Sequence, residues 1–236
     1  MKFYSAALLL SITIGSALAD SGKFKPDVTD YASLQRGAML FMNECSGCHS
    51  LKYTRYDSLA KGIQITDESG KVLDKIVKDN LIFISGQSLN SPILTSMNAI
   101  DAANWFGIAP PDLTLEARYR GAQWLYDYLR SFYVDPSRPW GVNNLAFPGV
   151  AMPHVLISLQ GEQILTADGD LKLVVQGSMT PAQYDTAIAD LVNFLCYISE
   201  PAQSQRREIG AWLLVFVGIF AVFSYLLKRE YWKDVH

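Results

Sequence analysis

Cys45-Ser46-Gly47-Cys48-His49 decides how the rest of this chain is read. Two cysteines three positions apart, with a histidine directly after the second, is the spacing by which a c-type haem is attached. Each thiol adds to one vinyl group of the porphyrin, and the adjacent histidine then lies under the ring with its imidazole in reach of the iron. A redox dithiol shares the cysteine spacing but expects a βαβ setting and needs no histidine, and a zinc site needs two further ligands close by. The chain has one other cysteine, Cys196, and two other histidines, His154 and His236, so no second metal-binding pair exists.

Working outward, Leu34, Ala38, Phe41 and Cys45 recur at steps of four, three and four. This predicts a helix opening at Thr29 or Asp30 and ending where it delivers the first sulfur. Gly37 on that helix permits close approach of another. The partner is predicted over Pro181 to Ser199, where Tyr184, Ile188, Leu191, Leu195 and Ile198 form an apolar stripe. Thr180-Pro181-Ala182-Gln183 reads as its capped start, with Met179 in the staple position against Tyr184. Cys196 on this helix reads as a small buried residue rather than a reactive thiol.

Beyond the motif the pattern weakens from Leu51 to Gly107. A helical turn over Val72 to Val77 and an apolar run from Leu81 to Ile84 stand out, and a stretch this long must hide further pieces of helix. Ile108-Ala109-Pro110-Pro111-Asp112-Leu113 follows as a stiff, extended segment suited to one wall of a haem crevice. A proline carbonyl there can accept the Nδ1 proton of His49 and fix its tautomer. A short helix from Leu113 to Tyr119, capped by Asp112, and a longer one from Ala122 to Tyr133 come next. The longer one carries Ala122, Leu125, Tyr126, Leu129 and Phe132 on one face and is stopped by Asp135-Pro136. Arg118 and Arg120 are candidates to pair with a haem propionate. Val155 to Thr166 and Leu171 to Gln176 flank Ala167-Asp168-Gly169-Asp170, predicting a small β-hairpin.

The sixth position on the iron has four candidates: Met97, Met152, His154 and Met179. Met179 is occupied by the helix start, and Met97 lies in the poorly patterned region. Met152 and His154 share the loop Phe147-Pro148-Gly149-Val150-Ala151-Met152-Pro153-His154, and pattern alone leaves both open, with Met152 favoured. A thioether would give the higher reduction potential of the two.

The ends of the chain belong to neither helix pair. Lys2, an apolar run from Ala6 to Ile14 and Ala17-Leu18-Ala19 make residues 1–19 read as a cleaved signal peptide. Ile209 to Leu227 is 19 residues without a charge, long enough as a helix to span about 28 Å, close to a bilayer's hydrocarbon core. Basic residues flank it on both sides, so the signal peptide sets the orientation: residues 20–208 exported, residues 228–236 in the cytoplasm, with Tyr231 and Trp232 as interfacial anchors. Between Asp20 and Glu208 there are 16 basic and 21 acidic side chains, a net charge of −5. That sign favours a cationic partner over nucleic acid.

In this order, Cys45-Ser-Gly-Cys-His49, Ala109-Pro-Pro-Asp-Leu-Thr114, Phe147-Pro-Gly-Val-Ala-Met-Pro153 and Glu200-Pro-Ala-Gln-Ser-Gln-Arg-Arg207 resemble the cytochrome c1 family, the haem subunit of the cytochrome bc1 complex. The resemblance covers essentially the whole mature chain. It implies a mainly α, class I cytochrome c-like haem domain with insertions and a small β-hairpin, plus one transmembrane helix. It further implies one haem c held by Cys45 and Cys48, axial ligation by His49 and Met152, and a propionate contact from Arg118, with Arg120 able to fill that place equally well. A short tail and compact body suggest a bacterial, periplasmic form. The implied role is to carry one electron at a time from the Rieske iron-sulfur protein to a soluble cytochrome c or equivalent acceptor, beside cytochrome b, with no bond made or broken at this subunit. Two other classes remain as alternatives: a membrane-tethered carrier working alone, and a haem peroxidase or gas sensor, against which a strong sixth ligand argues.

Overall fold

The structure, a computed structural model, describes residues 24–234. The predicted leader over residues 1–19 lies outside the described residues, as does His236. The chain begins its core with helix α1 (Tyr31–Glu44), and Asp30 is its cap, its carboxylate accepting from Ser33 N. Leu34, Ala38 and Phe41 are fully buried and Cys45 nearly so, as the stripe predicts.

The stretch after the motif contains more order than its pattern shows. Strand β1 (Leu51–Arg55), helices α2 (Tyr56–Gly62) and α3 (Asp74–Asn80), strand β2 (Pro92–Ile93) and helix α4 (Ala99–Phe106) fill it in turn. Strands β1 and β2 pair antiparallel, Leu51 opposite Ile93. The expected helical turn over residues 72–77 is the start of α3, one residue or two later than its pattern places it.

Helix α5 (Glu116–Arg120) starts later than expected, because Asp112 does not cap it. Its carboxylate instead accepts from Lys52 N of β1 at 2.8 Å and from Thr114 N at 3.0 Å. Helix α6 (Ala122–Arg130) stops at Ser131, four residues before the Asp-Pro stop. Phe132 opens strand β3 (Phe132–Val134), which pairs with β4 (Val142–Asn144). Phe132 is buried, but as a strand residue in a satellite core with Val142 and Val150. The predicted hairpin is present as β5 (Gly161–Leu165) and β6 (Leu171–Gln176). The first half of its leading run is a helical turn, α7 (Ile157–Gln160).

Helix α8 (Pro181–Ser199) carries the full capping box, Thr180 and Gln183 satisfying each other's backbone. It lies along α1 in the most extensive contact between any two elements. Gly37 makes this approach possible. A Cβ there would fall inside the carbonyl of Asp190 and 2.7 Å from Phe194 Cβ. Beside it the Asp190 carboxylate accepts from Ser33 Oγ at 2.6 Å and from Arg36 Nε at 2.6 Å, and Asn193 Nδ2 donates to Ser33 Oγ at 2.9 Å. Gly37→Leu should force the helices apart at a cost of about 3 kcal/mol, as overpacking of a tight core does. Met39→Leu, on the exposed side of the same helix, should stay within about 0.5 kcal/mol of the parent. Thermal unfolding of the two variants checks this, and a Gly37→Leu melt equal to the parent's would contradict the packing described.

Helix α9 (Gln203–Tyr231) contains the predicted span and extends it at both ends; none of its residues is buried. Its most apolar 18-residue window has a mean hydropathy of 2.3. Its uncharged stretch from Ile209 to Leu227, open on every face, needs an apolar surrounding that the described residues do not provide.

Candidate haem site

The motif turn follows α1 without a break. Cys45 N still donates to Phe41 O at 2.9 Å, and Cys48 N and His49 N both return to Cys45 O, at 3.1 and 2.9 Å. Cys45 is thereby buried, Gly47 is exposed and Cys48 is half-buried on the turn. Both thiols are free. Burial pushes the Cys45 thiol up to about 12 and raises Cys48 as well. A redox dithiol needs its attacking sulfur pushed the other way, so the local electrostatics do not suit thioredoxin-type chemistry.

The turn is stitched to its surroundings on two sides. Thr95 Oγ1 donates to Gly47 O at 2.6 Å and Thr95 N to Ser50 Oγ at 2.9 Å, which holds the chain after β2 against the motif. Met97 N in turn donates to Thr95 Oγ1. On the other side Leu113 N donates to Ser50 O at 2.9 Å, and the Pro-Pro segment is fixed alongside. His49 Nδ1 lies 2.7 Å from the Pro111 carbonyl oxygen. A carbonyl can only accept, so Nδ1 carries the proton and Nε2 keeps its lone pair. Burial lowers the His49 pKa, with the Pro111 bond opposing it, which favours the neutral imidazole. That is the form that binds a metal. The hydrogen bond comes from Pro111, and Pro110 contributes only the stiffness of the segment.

The loop from Phe147 to His154 rests on β3 and β4. Two asparagines at the end of β4 bind it. Asn144, fully buried, accepts from Ala146 N and Phe147 N through Oδ1, at 2.9 and 3.0 Å, while its Nδ2 donates to Tyr128 O at 2.8 Å. Asn143 Oδ1 accepts from Gly149 N at 2.8 Å, and Arg138 donates to Gly149 O at 2.9 Å. Met152 is half-buried against the satellite core of Phe132, Val142 and Val150. Tyr128 Oη donates to its Sδ at 3.4 Å.

His154 is placed differently. It is buried and stacked on Phe132, ring centroids 4.8 Å apart at an angle of 3°. Burial pushes its pKa down to about 4, against a smaller raising effect from Gln160. Met179 packs against the main core at the foot of α8.

The two arginines also separate. Arg120 donates to Glu116 at 3.1 Å, and its guanidinium lies over the rings of Trp124, Tyr119 and Phe147 at 4.7, 5.1 and 5.7 Å. Arg118 is exposed. Tyr128, Asn143 and Asn144 are absent from the sequence-based site. An Asn-Asn pair just ahead of Phe-Pro-Gly is a signal of a loop tied by side-chain amides. Tyr128 has a weaker one, its helical step from Trp124.

Comparison with known proteins gives the family. The family model for the cytochrome c1 family matches residues 23–235. The chain belongs to the cytochrome c1 family. It is 46% identical to cytochrome c1 of Allochromatium vinosum over 222 residues, covering 89% of this chain and 87% of that one. It is 40% identical over 240 residues to a protein of Nitrosomonas europaea named ammonia monooxygenase gamma subunit, covering 100% of this chain and 99% of that one. Identity to the mitochondrial cytochrome c1 haem protein of Schizosaccharomyces pombe is 28%, over 87% of this chain and 68% of that one. As a family member the chain is a membrane-anchored redox subunit, not a catalyst on its own.

Proposed function

We propose that the chain holds one haem c through thioether bonds at Cys45 and Cys48, with His49 and Met152 as its axial ligands. The observation that carries this reading is the His49 imidazole, its Nδ1 proton given to Pro111 and its Nε2 lone pair left available, on a turn that bears two free thiols. Met152 is supported over His154 by their surroundings: the thioether sits at the edge of the satellite core, whereas the imidazole is enclosed and stacked on Phe132. Arg120 is engaged with Glu116 and three rings, so the propionate contact is assigned to Arg118. When bound, the haem supplies a one-electron iron couple. The chain's own part is to fix the ligands, enclose one edge of the site and present the other to partners.

In this reading residues 209–227 cross the bacterial inner membrane once, residues 20–208 lie in the periplasm and residues 228–236 in the cytoplasm. The protein takes one electron at a time from the Rieske iron-sulfur protein and passes it to a soluble cytochrome c or equivalent acceptor, within an assembly that includes cytochrome b. Solubilisation in mild detergent followed by capture of the full chain should recover cytochrome b and the iron-sulfur protein. Ending the chain after Arg207 should release the haem domain and lose both. Capture of the full chain alone would replace this reading with a stand-alone tethered carrier. Capture of monooxygenase subunits would place it with the assembly that the Nitrosomonas relative's name describes.

A further inference from the structure

With His49 and Met152 as ligands, the iron lies between two walls that are held in the protein separately. The wall behind His49 is the segment ending in Pro110 and Pro111, which runs back through Gly107, left-handed at φ 80°, into helix α4. The wall behind Met152 is the ribbon of β3 and β4, whose turn is tied by the Asp135 carboxylate to Ser137 and Asn143. That turn also holds the Met152 loop, through Arg138 to the carbonyl of Gly149. Each wall ends in an aromatic ring. Phe106, the last residue of α4, and Trp140, in the β3–β4 turn, meet with centroids 5.2 Å apart at an angle of 42°. Helix α4 has little else to hold it: Ala102 is its one buried residue, and among the described residues it lies broadly against no other element. Trp140 is 44% exposed and belongs to neither core cluster. A tryptophan this open adds little to the core, so its meeting with Phe106 calls for another explanation.

We infer that Phe106 and Trp140 are positioning residues that clasp the two walls together and so hold the axial sulfur on the iron, an inference that rests on the haem lying between His49 and Met152. An iron with both axial places filled takes an external ligand only after one of them has left. The sulfur is the one carried on a loop, and that loop is joined to the β3–β4 turn by Arg138 and Asn143. Loop and turn therefore swing outward together, and they do so only when Trp140 parts from Phe106. Offset and tilted aromatic pairs attract beyond the area they bury, enough to change such an opening equilibrium about twofold to tenfold.

Imidazole added to the oxidised full-length protein in detergent is the probe, because its rate of binding, followed as loss of the near-infrared sulfur-to-iron band, reports how often the sulfur is off the iron. Trp140→Ala should speed that binding about twofold to tenfold, and Phe106→Leu should do the same from the other wall. The two together should be no faster than the faster of them, since one clasp can be lost only once. Trp140→Phe keeps a ring for Phe106 to meet and should return the rate close to the parent's. Ile100→Ala, on the outward side of α4 at 73% exposure, should leave the rate alone. A parent-like rate in either Trp140→Ala or Phe106→Leu overturns the inference, and so does a double variant whose effect is the product of the two. Should one of these variants fail to mature, the other carries the test. Met152→Leu separates this from the ligand assignment. If that variant keeps the band, Met152 is not the ligand and the reading beneath fails. If the band depends on Met152 and the clasp variants bind imidazole no faster than the parent, the clasp alone is wrongly assigned.

Discussion

Replacing Cys45 and Cys48 together by alanine should leave no haem bound covalently to this polypeptide. Acid-acetone extraction strips haem that is held only by ligands and packing, whereas thioether bonds survive it. The parent protein should keep its colour with the chain after that treatment, and the double variant should yield its haem to the solvent or accumulate without any. Cys45→Ala alone should weaken or abolish maturation, because Cys45 sits at the end of α1 inside the main core and would fix the ring at the better-held of its two proposed points. Cys196→Ala provides the control. Its thiol lies on α8, pushed up to about 11 by burial, and losing it should change neither colour nor extraction. Free extraction of haem from the parent would sink the covalent assignment.

Met152→Leu should be the second large effect. Leucine fills nearly the same volume against Phe132, Val142 and Val150, so the loop keeps its packing and the iron loses its sulfur. The near-infrared band should vanish, the reduction potential should drop markedly, and carbon monoxide should bind the reduced protein. His154→Ala should leave the band and the carbon monoxide behaviour in place and show its effect in stability instead. Removing a ring stacked on Phe132 costs about 3 kcal/mol if the site cannot collapse. The reverse pattern, with the band lost on His154→Ala and kept on Met152→Leu, would exchange the two roles.

The parts of this molecule that the sequence discloses are those whose order is local. Helices α1 and α8 repeat their apolar residues at the helical period and announce their ends, Asp30 by its carboxylate and Thr180 with Gln183 by a reciprocal box. Gly37 stands out because only an intimate neighbour gives a glycine value in mid-helix. A proline carbonyl of the Pro110-Pro111 segment could be paired with His49 in advance because proline, having no N–H, narrows what its segment can offer; that it is Pro111 is visible only in the structure. Elsewhere the order is distant. Strand β2 has two residues and finds its partner about forty positions upstream, so neither strand has a period long enough to see. Phe132 continues the apolar face of α6 in register, three after Leu129, and only its pairing with Asn144 turns it into a strand. The clamps on the Met152 loop belong to the same kind: a buried amide has its value from what surrounds it, and Asn144 serves Ala146, Phe147, Ser131 and Tyr128 at once.

That amide clamp bears on how fast an electron can move. When a charge arrives or leaves, every atom around the centre starts from positions suited to the previous oxidation state, and the work of shifting them forms part of the barrier. A ligand carried on a loosely tethered loop would settle differently in the two states and make that work large. Here the backbone around Met152, the proposed ligand, is pinned at Ala146, Phe147 and Gly149 by side chains rooted in a β-ribbon, so under that proposal the two states would share one geometry and little nuclear rearrangement would accompany the transfer. The two asparagines would then act on rate rather than on driving force: Asn144→Ala should slow self-exchange between oxidised and reduced molecules more than it moves the midpoint between them.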